Sequence, residues 1–111
     1  MDLVNEVLKL NSELTASIRR LKENGSNLAE AERLYKIELH KEVLRLREEK
    51  TPATLINLII YGVPKVAELR FKRDIAETIY NTNLEHINAT KLQIRILENQ
   101  ISREWGNPKN V

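Results

Sequence analysis

Residues 65–105 read KVAELRFKRDIAETIYNTNLEHINATKLQIRILENQISREW, an uninterrupted stretch with neither glycine nor proline. Pro64, directly before it, suits the first position of a helix. Apolar side chains recur at alternating spacings of three and four residues, which is typical of one buried helical face. This face comprises Val66, Leu69, Ala76, Tyr80, Ile87, Ile94, Leu97 and Ile101, with Arg73, Asn83 and Thr90 as its polar or weakly apolar members. The pattern predicts one helix over residues 64–105, with a kink among the poor helix formers of residues 81–90 as the alternative.

Helix breakers divide the rest of the chain into three shorter predicted helices. Residues 24–27, Asn-Gly-Ser-Asn, separate a helix over 2–24 from one over 27–50, because glycine among turn formers usually ends a helix. Thr51 as cap and Pro52 as first helical residue open a third helix over 52–61, which Gly62 ends. In the first helix the predicted buried face is Val4, Val7, Asn11, Leu14, Ile18 and Leu21.

The composition is that of a small all-α protein and excludes several classes of site. The chain has 111 residues, of which 41% are apolar and only 5% aromatic, and it contains no cysteine. Disulfides, thiolate metal sites and cysteine nucleophiles are therefore absent. We expect one helical domain over residues 1–105 and a flexible tail over 106–111. The longest apolar stretch, residues 55–61, is too short to span a membrane, and the first residues do not resemble a secretory signal, so we expect a cytoplasmic protein.

The length of the C-terminal helix predicts a second subunit. At its usual rise this helix is about 60 Å long, whereas a compact globule of this chain length is about 34 Å across. If Gly25 folds the first two helices into a hairpin, they cover only half of it. We therefore expect an elongated, coiled-coil-like helical hairpin or bundle that forms a homodimer. In the alternative, the first two helices run end to end along the long helix and cover it within one chain. The predicted dimer seam is Ile87, Ile94, Leu97, Ile101 and Trp105.

The polar residues form no pattern typical of catalysis. His40 and His86, the only histidines, lie outside any His-Glu-x-x-His or Glu-x-x-His motif. Carboxylates such as Glu32 have a basic residue four positions later, as on an ordinary exposed helix face. We expect no enzymatic activity, cofactor, metal ion or small-molecule substrate.

Residues 45–73 are locally basic, with seven basic and three acidic side chains. Such a segment can contact nucleic-acid phosphates or an acidic partner, or it can be an ordinary solvated corner at a helix end. A helix-turn-helix over this segment fits poorly, because Leu58 stands where a small residue belongs and Glu68 where an apolar one does. The candidate contacts are Arg45, Arg47, Lys50, Lys65, Arg70, Lys72 and Arg73.

Three segments resemble small helical proteins encoded by phages and prophages of Gram-positive bacteria: KLQIRILENQISREWG at 91–106, TPATLI at 51–56 and LRFKRD at 69–74. Those proteins have no assigned activity, so no functional residue transfers. The resemblance implies expression in the bacterial cytoplasm during infection, where such proteins commonly block a host protein, including CRISPR and other defence complexes. We therefore expect a non-enzymatic inhibitor of a host protein. The alternatives are a nucleic-acid-binding accessory in phage recombination or replication, and a virion assembly or scaffold component.

Overall fold

The structure is a computed structural model that describes residues 2–106, and over this range the protein is all-α. Helix α1 spans Leu3–Glu48, α2 spans Ala53–Ile59 and α3 spans Pro64–Trp105, with a 3-10 turn at Ile60–Gly62 before α3. The long C-terminal helix predicted from the sequence is confirmed, and it continues without a break through residues 81–90. Of the predicted tail, Gly106 forms a bend after α3, and residues 107–111 lie outside the described range.

The predicted break at Gly25 is wrong, because α1 is one helix of 46 residues. Gly25 lies against the side chain of Tyr80 on α3, and a Cβ placed on it would be 3.3 Å from Cε1 of that ring. Glycine serves both to end helices and to let another group approach the backbone closely. Here Gly25 allows the close approach of Tyr80. The two helices predicted over 2–24 and 27–50 are therefore one helix in the structure.

A hydrogen-bonded turn ends α1. The amide of Lys50 donates to the carbonyl of Arg47 at 2.9 Å, and that of Thr51 donates to the carbonyl of Leu46 at 3.0 Å. Lys50 has φ of 62°, so the turn is a Schellman motif, which closes a helix with one left-handed residue. Helix α2 begins at Ala53 with Pro52 as its N-cap and no side-chain cap. The predicted capping role of Thr51 is therefore wrong.

Contacts group the described residues into two compact units, and the first comprises residues 2–23 and 81–106. Within it, Asn83 Nδ2 donates to the carbonyl of Ser17 at 3.2 Å, and both residues are buried. The inward face predicted for α3 is confirmed here, but that of α1 is rotated: Ser17 is buried whereas Ile18 is exposed. The buried residues of this unit are Leu10, Ser17, Asn83, Ile87, Thr90 and Ile94.

The residues of the predicted dimer seam differ in exposure. Ile87 and Ile94 are buried within a single chain. Leu97 and Ile101 are half-buried, and Trp105 is 79% exposed. The alternative, in which N-terminal segments cover the long helix within one chain, describes this unit, while homodimer formation itself stays a prediction.

The second unit is Asn24–Tyr80, and its core gathers side chains from every element. Ile56 of α2 and Ile60 of the 3-10 turn pack into one cluster with Val66, which is fully buried at the start of α3. Because α2 is only 7 residues long, it buries one side of its apolar surface and exposes the other. The cluster comprises Tyr35, Leu46, Ile56, Ile60 and Val66, with Leu39, Val43, Val63 and Leu69 packed against it.

Candidate binding groove

Arg73, one of the seven predicted contacts, belongs to the packing of the second unit. Its Nη1 lies 2.9 Å from Oε1 of Glu32 on α1, and its Nε lies 2.8 Å from Oδ1 of Asp74. Its guanidinium carbon also lies 4.9 Å from the centroid of the Tyr35 ring. The hydrogen bond to Asp74 contributes most to raising the pKa of Arg73. Burial opposes it as the next largest effect, and the hydrogen bond to Glu32 raises the pKa further. Arg73 is therefore already engaged and is a poor contact for a partner.

Arg45 and Lys72 have acidic partners on their own helices. Arg45 lies 2.9 Å from Glu42 and 2.7 Å from Glu49, and Lys72 lies 3.7 Å from Glu68. Hydrogen bonds to Glu42 and Glu49 raise the pKa of Arg45. The pairs with Glu49 and Glu68 are exposed and contribute little to stability, whereas Glu42 is buried; all three pairs reduce the positive charge that the surface presents to a ligand.

The other four predicted contacts form no ion pair within residues 2–106, and two of them border a groove in the second unit. Arg47 lines the groove directly. Arg70 does not line the groove, but its guanidinium carbon lies 4.7 Å from the centroid of the Tyr61 ring, which does. The unpaired set is Arg47, Lys50, Lys65 and Arg70.

The groove lies between the C-terminal part of α1, helix α2 and the 3-10 turn, and it has a volume of about 280 Å³. This is slightly smaller than typical small-molecule pockets, which run from about 300 to 1,000 Å³, so it suits one or two side chains better than a cofactor. Its apolar floor is Leu39, Val43, Ala53, Ile56 and Ile60, and its polar rim is His40, Arg47, Asn57 and Tyr61.

The local fold explains why the floor is fixed and the rim is open. The turn at Lys50 and the cap at Pro52 bring α2 back against α1, where the amides of Leu55 and Ile56 both donate to the carbonyl of Pro52 at 3.0 Å. Ile56 is buried in the core beneath the groove, whereas all four rim residues are exposed. An incoming side chain therefore meets a preformed apolar surface.

The charged group that lines the groove is positive. No carboxylate is among its lining residues, and the Arg47 guanidinium has no acidic partner within residues 2–106. His40 keeps Nδ1 at 3.1 Å from the carbonyl of Lys36 on its own helix. The rim thus combines the Arg47 guanidinium with other polar groups over an apolar floor, and the Arg70 guanidinium lies beside it on the Tyr61 ring.

The sequence identifies the cations of this rim but not the groove itself. A signal was present in α2, which is apolar nearly all round although a helix of two turns can bury only one side. Leu58 is accordingly 80% exposed, and Leu55 and Ile59 are partly exposed beside it. The floor, by contrast, joins residues of α1 to residues about 14 positions later, and only the geometry of the intervening turn brings them together.

Within residues 2–106 no three His, Asp or Glu side chains are placed to hold a metal ion. Over the same range no helix has both the length and the hydropathy of a membrane span. Comparison of the chain with models of protein families, with curated proteins and with solved structures gives no significant match.

Proposed function

We propose that this chain is a non-enzymatic interaction protein that binds and blocks a protein of its host cell through the groove between α1 and α2. The observation that carries the proposal is the groove itself, with an apolar floor, a cationic rim and no carboxylate in its lining. Exposed apolar surface with a polar border is typical of protein interaction sites.

The exposed side of α2 extends this surface. Leu58 and Leu55 project from the helix whose inner side carries Ile56 into the core. Burying a large apolar side chain is worth about 1.5–3 kcal/mol, so a partner that covers both leucines gains affinity beyond the groove. The resemblance to phage and prophage proteins supports the choice of a bacterial host protein, such as a defence complex, as the partner.

Affinity purification from the lysate of a Gram-positive host tests this function. The bait is the whole chain, alongside Ala53→Trp, which fills the groove, and Ala89→Trp, which adds the same ring to an exposed position on α3. We expect one host protein that the wild type and Ala89→Trp retain and Ala53→Trp loses, and we expect its activity to fall when the wild type is added. Circular dichroism verifies that both variants fold. Retention of the same proteins by all three baits, or of none, contradicts the proposal.

A nucleic-acid accessory function is the second candidate, favoured by the four predicted contacts that form no ion pair among residues 2–106. If Arg47, Lys50, Lys65 and Arg70 contact phosphates, binding to duplex DNA weakens with salt, and the log-log slope falls by about one for each cation removed. Fluorescence anisotropy with a labelled duplex measures this slope for the wild type and for single alanine variants. Absence of binding at low salt removes the candidate.

A further inference from the structure

Resting on the proposed function, we infer that the partner presents an acidic amphipathic helix, whose apolar side chains enter the groove while its carboxylates contact Arg47 and Arg70. The inference concerns the chemistry of the partner segment, and it follows from three features of the groove: its floor, its rim and the elements that form it.

The floor selects apolar side chains. Ile56 and Ile60 are almost fully buried and belong to the core cluster, so the floor does not need to rearrange before binding. Ala53, the smallest lining residue, leaves the space that a larger side chain would fill. A groove of about 280 Å³ accommodates one or two aliphatic side chains of a partner.

The rim selects negative charge. Arg47 has no carboxylate partner among the described residues, and Arg70 is held over Tyr61 by a cation–π contact. A cation that is already positioned loses less conformational entropy when it binds a carboxylate. An apolar occupant also excludes water, which strengthens the attraction between a rim guanidinium and an acidic group beside it. A basic segment would meet repulsion from both arginines and find no acidic group in the lining.

The surrounding elements favour a helical partner. Residues 2–106 contain no strand, so the described chain offers no sheet edge to which an extended peptide could add. A helix instead places side chains three and four residues apart on one face, about 5–6 Å from each other. Two such side chains match the size of the groove, and the flanking positions of the same helix face the rim.

Selection from a displayed library of randomised helical peptides, each about 16 residues or four to five turns long, tests the inference without assuming a sequence. The full chain is the target, and the selected peptides are then tested for binding to Ala53→Trp. We expect an enriched pool with negative net charge and paired apolar residues three or four positions apart. The selected peptides should bind Arg47→Glu and Arg70→Glu at least about tenfold more weakly than they bind the wild type, which corresponds to about 1.4 kcal/mol. Arg95→Glu is the matched control, since Arg95 is exposed on α3 without an ion pair in the described chain, and it should bind as the wild type does.

Several results overturn the inference. They are a neutral or basic pool, equal binding to Ala53→Trp, equal loss with Arg95→Glu, or an empty pool. Salt-dependent binding of duplex DNA together with an empty pool assigns the rim to phosphates instead. If the purified host protein depends on Ala53 but the selected peptides are not acidic, the interaction function stands and this inference fails. If acidic peptides bind the groove but no host protein depends on it, the chemistry of the groove stands and the proposed function fails.

Discussion

Arg73 on α3 and Glu32 on α1 form an ion pair across the second unit, with Nη1 2.9 Å from Oε1, at a position where the heptad pattern calls for an apolar side chain. The two side chains remain 21% and 32% exposed, so the pair is only partly desolvated. The Tyr35 ring lies beneath the same guanidinium. A polar pair in an apolar seam can fix the register of two helices, because a shifted register leaves both charges without partners.

Replacement of Arg73 should therefore be more costly than replacement of an exposed arginine. We expect Arg73→Ala to lower the free energy of unfolding by about 1–2 kcal/mol, through loss of the ion pair and of packing on Tyr35. Urea unfolding measures the change. Arg95→Ala, on the exposed side of α3, should change it by no more than about 0.5 kcal/mol. Equal effects of the two substitutions would show that the pair contributes nothing specific.

The contact between Gly25 and Tyr80 should make the effect of Gly25→Ala on the free energy of unfolding depend on the Tyr80 ring. Alanine is favoured over glycine inside a helix by about 1 kcal/mol, but a Cβ at position 25 meets the Tyr80 ring. In a Tyr80→Ala background we expect Gly25→Ala to stabilise by about 0.5–1 kcal/mol, and in the wild type by clearly less. A double-mutant cycle in urea measures the coupling. The same gain in both backgrounds would contradict the steric role of Gly25.

Substitutions at two isoleucines on α3, one buried and one exposed, can show whether the buried one packs within one chain or between two chains. Ile94 is 8% exposed and Ile96 is 54% exposed. We expect Ile94→Asp to reduce helicity and amide-exchange protection in residues 81–106, because it buries an unpaired charge at a cost of several kcal/mol, about 3–5. Ile96→Asp should leave both unchanged. A folded monomer of Ile94→Asp, seen by circular dichroism and sedimentation, would instead assign this residue to a dimer seam.

The Glu30–Arg33 pair on α1 predicts a measurable pH effect. Arg33 donates from Nε and Nη2 to the two oxygens of Glu30 at 2.9 and 2.7 Å. This side-chain hydrogen bonding holds the pKa of Glu30 below its ordinary value of 4.5. Because the folded pKa is lowered, the stabilising contribution is complete above the ordinary pKa and is lost as the pH falls through the lowered one. NMR titration of the Glu30 carboxyl should give a higher pKa in Arg33→Gln than in the wild type, and identical curves would contradict the pairing.

The sequence predicts α3 well because the helical period continues through the poor helix formers of residues 81–90. From Val66 to Ile94 the alternating spacing identifies the inward face, and even its polar members Asn83 and Thr90 are buried as the period requires. Periodicity alone does not reveal what those polar members do. The hydrogen bond from Asn83 to the carbonyl of Ser17 depends on a residue 66 positions away.

In α1 the same reasoning finds only part of the inward face, because Val7, Leu14 and Leu21 are half-buried as predicted but the face is rotated away from Val4 and Ile18. Val4 and Ile18 make the predicted face the more hydrophobic one, yet both are about half exposed. The face that packs includes Ser17, whose small side chain is fully buried. Size complementarity between helices outweighs hydropathy here, and size complementarity becomes visible only when the opposing helix is in place.

The left-handed Lys50 at the end of α1 leaves the protein less heat-resistant than its fold permits. An L-residue in this conformation costs about 1–2 kcal/mol, whereas glycine adopts it without steric conflict. Lys50→Gly should therefore raise the melting temperature, which differential scanning calorimetry can measure, while it removes one of the four predicted phosphate contacts that form no ion pair among residues 2–106. A single substitution thus changes both the melting temperature and the positive charge available to a partner.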